Sequence, residues 1–209
     1  LWAFLAQPEL PQKSEINFSA VLRAFSALPA AIRELLGPDL SKRLLAIGAP
    51  DLARTVRASL ARAPLENEGA LDLVEARIEL NAGAVEEAQS RLASMALQNN
   101  EIGAEALALK LETRLSQGQA IGEEDTQSAA ALALQLSGTE LGARLKRAEI
   151  LGQGSTGKFS SAFDELAKWS MSENPQGARK TTNDLAALLA KVPDDQIFLT
   201  TYFEHVSAA

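Results

Sequence analysis

Lys158 closes the run Gly152–Lys158, GQGSTGK, a stretch of this 209-residue chain whose residue types could cradle a phosphate. Glycines let backbone N–H groups approach an anion, a lysine meets its charge, and a hydroxyl after the lysine holds Mg²⁺. The spacing fails at that last step. A phosphate-binding loop reads G-x-x-x-x-G-K-[ST], and from Gly152 the final position is Phe159. Such a loop also follows a buried strand, whereas Leu141, Leu145, Ala148 and Leu151 recur at helical spacing. No later apolar strand ends in an aspartate for the metal. The run reads as a turn, Lys158 as a solvated loop residue, and no nucleotide is expected.

The other reactive types are scattered. His205 is the single histidine and there is no cysteine, so a triad, a histidine metal cluster or a thiolate site has nothing to assemble from. Glu123, Glu124 and Asp125 stand in a row, but without a D-x-D-x-D-G pattern they match no calcium loop. Acids just after a glycine favour the positive end of the next helix. Trp2 and Trp169 could stack on a sugar or base, yet they lie far apart, and Trp169 falls near the face of Phe159 and Leu166. No serine sits in a nucleophile elbow. The expectation is a protein that is not an enzyme, with no metal and no cofactor.

Charge narrows the partners. The formal net charge is -7 and the pI about 4.9. Arg54, Arg57 and Arg62 come nearest to a basic cluster and read as a solvated helix face, so no nucleic acid is expected. No apolar run reaches the roughly 18 residues of a transmembrane segment. The opening LWAFLA lacks a signal peptide's basic flank, and the chain begins at Leu1, which suits a piece of a longer protein. An alanine-rich, cysteine-free composition leans toward a bacterial periplasmic or envelope protein.

These residues must be positioned by helices. Apolar residues recur at three and four, as in Val85, Ala88, Leu92 and Met95, and period-2 alternation is missing. About a dozen helices are predicted. Ser137-Gly-Thr-Glu140 offers a capping box, and Asn174-Pro175 a cap before a first-turn proline. Pro64 falls between runs. A tetrad then repeats: Leu45-Ala-Ile-Gly48, Leu80-Asn-Ala-Gly83, Leu115-Ser-Gln-Gly118 and Leu151-Gly-Gln-Gly154. Each leucine is expected to be a last buried residue of a helix. Each glycine can take positive φ and turn the chain into an antiparallel helix. Hairpins of this kind cannot bury their apolar faces alone, so they must stack.

Ala76-x-x-x-Leu80-x-x-Gly83-x-x-x-Glu87-Ala88-x-x-x-Leu92 resembles a tetratricopeptide repeat. Leu45, Gly48 and Ala53 follow the pattern more loosely. Glu123 stands where the third copy's alanine is expected, and Ala162 and Leu166 belong to a fourth copy with about three inserted residues. The resemblance implies an all-α, right-handed solenoid of stacked antiparallel hairpins forming one domain. Residues 1–37 would be N-terminal flanking helices, 38–192 four to five hairpins and 193–209 a C-terminal capping helix, with Phe198, Tyr202 and Val206 on one face. It implies a non-catalytic interaction or scaffold module that holds a peptide or partner protein in its groove. The alternative is a superhelical accessory domain of a larger cell-envelope enzyme. A third possibility is a structural segment packed on the rest of its own chain. In such a solenoid the first helix of each hairpin lines the groove. Counting back from the turn glycines then marks Lys42, Arg77 and Glu112, and nearer the turn Ala46, Asn81 and Ser116, with Arg144 as the fourth member of the first row. Leu80 and Leu115 should be buried between hairpins, and Trp2, Phe4 and Leu5 should cover the first hairpins.

Overall fold

The computed structural model describes residues 1–7, 15–60, 68–170 and 175–206. Arg62, Pro64 and Asn174 lie outside them. The described chain is helical throughout and divides into two compact units, Leu1–Gln98 and Asn99–Ala209. The first holds α1 (Trp2–Ala6), α2 (Phe18–Ser26), α3 (Ala30–Ala46), α4 (Pro50–Ser59), α5 (Glu68–Asn81) and α6 (Val85–Met95). The second holds α7 (Glu101–Ser116), α8 (Glu123–Gln135), α9 (Glu140–Ser155), α10 (Phe159–Ser170), α11 (Pro175–Leu189) and α12 (Asp195–Thr201), the last running into a π-helical turn at Tyr202–Val206.

Four hairpins share one ending. Gly48, Gly83, Gly118 and Gly157 have φ of 71°, 80°, 70° and 83°. At each, the glycine N–H donates to the carbonyl three residues back, and the next N–H donates to the carbonyl five back: Gly48 to Leu45 and Ala49 to Leu44, through Gly157 to Gly154 and Lys158 to Gln153. This double bond satisfies carbonyls that a helix end leaves open, and it needs a left-handed residue that only glycine adopts without strain.

The fourth turn is therefore Gly157, not Gly154. Helix α9 runs on through Gly152 and Gly154, both buried. A Cβ on Gly154 would collide with Leu185 of α11, and one on Gly152 would crowd Thr126 Oγ1 and Ile121. These two glycines serve close helix approach, and the GQGSTGK run is the end of a helix plus its turn. Its alanine falls into place: Ala53, Ala88 and Ala162 each stand five residues past a turn glycine, and each is 0% exposed. The extra residues sit earlier. Helices α4, α6 and α10 start two residues after their glycine, but α8 waits until Glu123, five after Gly118, and buries Ile121 in between.

Two other local expectations shift. The cap of α9 is Thr139, whose Oγ1 accepts from Gly142 N at 3.0 Å. Gly138, at φ 81°, has already reversed the chain, so Ser137 lies on the wrong side of the turn. Helix α3 begins at Ala30 and passes through Pro38, so the boundary at 37/38 falls mid-helix. Gly37 is buried there because Leu60 of α4 occupies the space of its missing Cβ.

Packing follows the hairpins. In the first unit α3 packs on α4 and α5, α5 on α6, and α1 on α3; in the second α7 packs on α9 and α9 on α10 and α11, so successive first helices lie side by side. The buried register is seven residues before each turn glycine: Ser41, Ala76, Leu111 and Ile150 are all 0% exposed. Leu45 is buried, but Leu80 and Leu115, at the equivalent last-turn position, are only half-buried. Phe4 is buried and Leu5 packs beside it, while Trp2 stays 62% exposed. Trp169 is half-buried against the cluster of Phe159, Phe163 and Leu166.

Candidate functional site

The marked residues lie on α3, α5, α7 and α9, with Lys42, Ala46, Arg77 and Asn81 in the first unit and Glu112, Ser116 and Arg144 in the second. Lys42 on α3 and Asn81 at the end of α5 are exposed, and Arg77 on α5 is half-buried. Asn81 Nδ2 donates to the Arg77 carbonyl at 2.9 Å, so the asparagine also caps its own helix end. Ser116 Oγ does the same on α7, donating to the Thr113 carbonyl at 2.7 Å.

Arg144 and Glu112 meet directly. Arg144 Nε and Nη2 each donate to a Glu112 carboxylate oxygen at 2.7 Å, and Nη1 donates to both oxygens of Glu105 at 2.9 and 2.8 Å. Glu105 and Glu112 are seven residues apart on α7, two turns on one face, so one guanidinium on α9 spans both. Counted from the turns, Arg144 stands thirteen residues before Gly157, as Glu105 stands before Gly118; the counterpart of Lys42, Arg77 and Glu112 in this helix is Leu151, 3% exposed. Burial alone would lower the pKa of Arg144, but the bonds and charges of Glu112 and Glu105 outweigh it and raise it.

The same logic ties other helix pairs. Arg91 on α6 holds Glu79 on α5 through two bonds of 2.6 and 3.1 Å, with Asp72 at 3.7 Å. Arg147 on α9 donates to Asp184 on α11 at 2.6 Å. The acidic start of α8 is answered as well: Asp125 accepts from Lys110 at 2.9 Å, and Glu123 accepts from Lys158 at 3.0 Å. The lysine of GQGSTGK thus pairs with a carboxylate.

In the second unit a cleft of about 690 Å³ lies between α8 and α10, floored by α9. Its lining includes Leu134, Gly142, Lys146, Glu165, Lys168 and Trp169. Lys146 lies 2.9 Å from both Glu149 and Glu165, and Lys168 2.7 Å from Glu165. Lys168 and then Lys146 hold the Glu165 carboxyl below its usual range. Burial would lower the Lys146 pKa, but Glu165 and Glu149 raise it. Every shift fixes the ordinary charged form. A general acid or base needs the opposite, a pKa brought toward the working pH. His205 stacks on Phe163, with ring centroids 5.6 Å apart and planes 9° apart. Among the described residues no group of three or more His, Cys, Asp or Glu is placed to hold a metal ion.

A second repeat marks the starts of the first helices. Gly69-Ala70, Gly103-Ala104, Gly142-Ala143 and Gly177-Ala178 open successive first helices. At Gly142 the reason is visible: a Cβ would collide with the Leu136 backbone carbonyl. No family model, curated protein or solved structure matches the chain. No helix among the described residues is long and apolar enough to cross a membrane.

Proposed function

We propose that the chain is a tetratricopeptide-like stack of helical hairpins acting as a non-catalytic interaction or scaffold module, and that it holds an acidic, extended peptide segment of a partner. The observation that carries it is the hairpin ending repeated at Gly48, Gly83, Gly118 and Gly157 with first helices side by side. Such a stack repeats one surface position at each step, as a binding ladder requires. Two further observations agree. The titrating groups around the cleft are held in their ordinary charged forms, away from acid–base chemistry. And α3 and α5 carry Lys42 and Arg77 at equivalent positions before their turn glycines, two side chains of the same charge. The peptide's carboxylates meet that pair in the first unit, with Asn81 one turn further along α5.

The test is selection of a displayed random-peptide library on the immobilised chain, followed by calorimetric titration of the selected peptides. Acidic peptides should emerge. Arg77→Glu should weaken them tenfold or more, about 1.4 kcal/mol, with the melting temperature unchanged. Peptides of no common charge, or equal affinity for Arg77→Glu, would remove the proposal.

A further inference from the structure

Helix α1, Trp2–Ala6, lies on a surface of its own unit. Phe4 is 6% exposed and joins the cluster of Val21, Phe25, Leu40 and Leu44, with Leu1 and Leu5 packed against it. Arg43 of α3 closes the other end. Its Nη1 donates to the Leu5 carbonyl at 3.1 Å and its Nη2 to the Gln7 carbonyl at 2.6 Å. Its guanidinium carbon sits 5.5 Å from the centre of the Phe4 ring, a cation–π distance. The carbonyls at the end of so short a helix have no partner inside it, and one arginine takes two of them.

A groove holds a peptide in this way. The main-chain contacts supply grip whatever the sequence, and a buried aromatic supplies the anchor. We propose that the face of α2 and α3 around Arg43 is a docking site for a short helix with an aromatic anchor. Residues 1–7 fill it in cis, and the same segment of a second copy of this chain competes for it. Exchange of identical elements needs no new contact, since the incoming segment brings the same phenylalanine and the same carbonyls. The first-helix row of Lys42 and Arg77 plays no part in this inference.

The probe is an amidated, fluorescein-labelled peptide of sequence LWAFLAQ, titrated by anisotropy into three full-length chains: wild type, Phe4→Asp and Phe4→Asp/Arg43→Ala. Phe4→Asp ejects the cis segment and should bind the peptide at least tenfold more tightly than wild type. The added Arg43→Ala should cost at least tenfold, and a peptide with alanine in place of the phenylalanine should not bind. Circular dichroism and a thermal melt accompany each chain. A Phe4→Asp chain that keeps its helical signal and binds as described supports the site. Failure of Phe4→Asp to bind, equal binding by wild type, or indifference to Arg43→Ala would overturn it. So would collapse of the helical signal in Phe4→Asp, because α1 would then be part of the core and not an occupant.

Discussion

The two units arrange the charges on their first helices differently. On α3 and α5 of the first unit stand Lys42 and Arg77, two like charges. On α7 and α9 of the second, Glu112 meets Arg144 across the helix pair, and Arg147 meets Asp184 on α11. First helices are tied to second helices in both units, as in Arg91 with Glu79 and Arg57 with Glu75 at 3.4 Å in the first and Lys110 with Asp125 in the second. Opposite charges between neighbouring first helices fix their register and consume their donors. On α3 and α5 the corresponding positions carry charges of one sign. One architecture thus offers a locked face and a charged face, and substitutions should separate them: stability effects in the second unit, binding effects in the first.

The largest loss is expected in the buried row. Leu111→Ala, at a 0% exposed position, should cost about 2–5 kcal/mol in denaturant unfolding. Leu80→Ala, half-buried in a last turn, should cost less than half as much. Equal losses would place the core register on the leucines of L-x-x-G after all. Next comes Gly142→Ala, whose methyl meets a backbone carbonyl that cannot swing aside. A loss of about 1–3 kcal/mol is expected, against a near-neutral Gly122→Ala, where the added methyl meets open space.

The locked face should show through Arg144. Its side chain is 24% exposed, and its removal takes four hydrogen bonds from Glu105 and Glu112, 15% and 29% exposed. Arg144→Ala should cost about 1–2 kcal/mol, part of the pair's energy being screened by solvent. Lys42→Ala, at an exposed position, should cost no more than about 0.5 kcal/mol. The reverse order in thermal melts would break the contrast between units.

A smaller, pH-dependent effect belongs to Glu165. Its folded pKa lies below the ordinary 4.5, so it contributes stability that is fully present above that value and lost as pH falls through the lower, folded one. Glu165→Gln should flatten the acid side of a stability–pH profile and leave its neutral-to-alkaline slope alone. Smallest of all, Lys158→Ala removes a pair whose partners are 55% and 69% exposed, and stability should stay within about 0.5 kcal/mol.

Most of the helical architecture is legible in the sequence because its causes are local. A left-handed turn residue excludes side chains, so Gly48, Gly83 and Gly118 announce themselves. The fourth turn misleads for a physical reason. Gly152 and Gly154 are glycines kept for close packing, and in a sequence they look the same as glycines kept for φ. The alanine at 162, five residues past Gly157 like Ala53 and Ala88 past theirs, carried the correct register. The ion pairs were hidden because they depend on that register. Arg144 reaches residues 32 and 39 positions away, and an error of three residues at the turn reassigns its neighbours. The cleft floor was equally silent, since small residues such as Gly142 and Ala143 mark close approach only once the facing helix is known.

Where a partner lies separates the first-helix surface from the cleft. Backbone amide shifts of the ¹⁵N-labelled chain, followed as a selected acidic peptide is added, locate it directly. Shifts gathered at Lys42, Arg77 and Asn81 are the predicted result. Shifts gathered instead at Leu134, Lys146 and Trp169 would move the working surface to the cleft between α8 and α10 and contradict the assignment to the first helices.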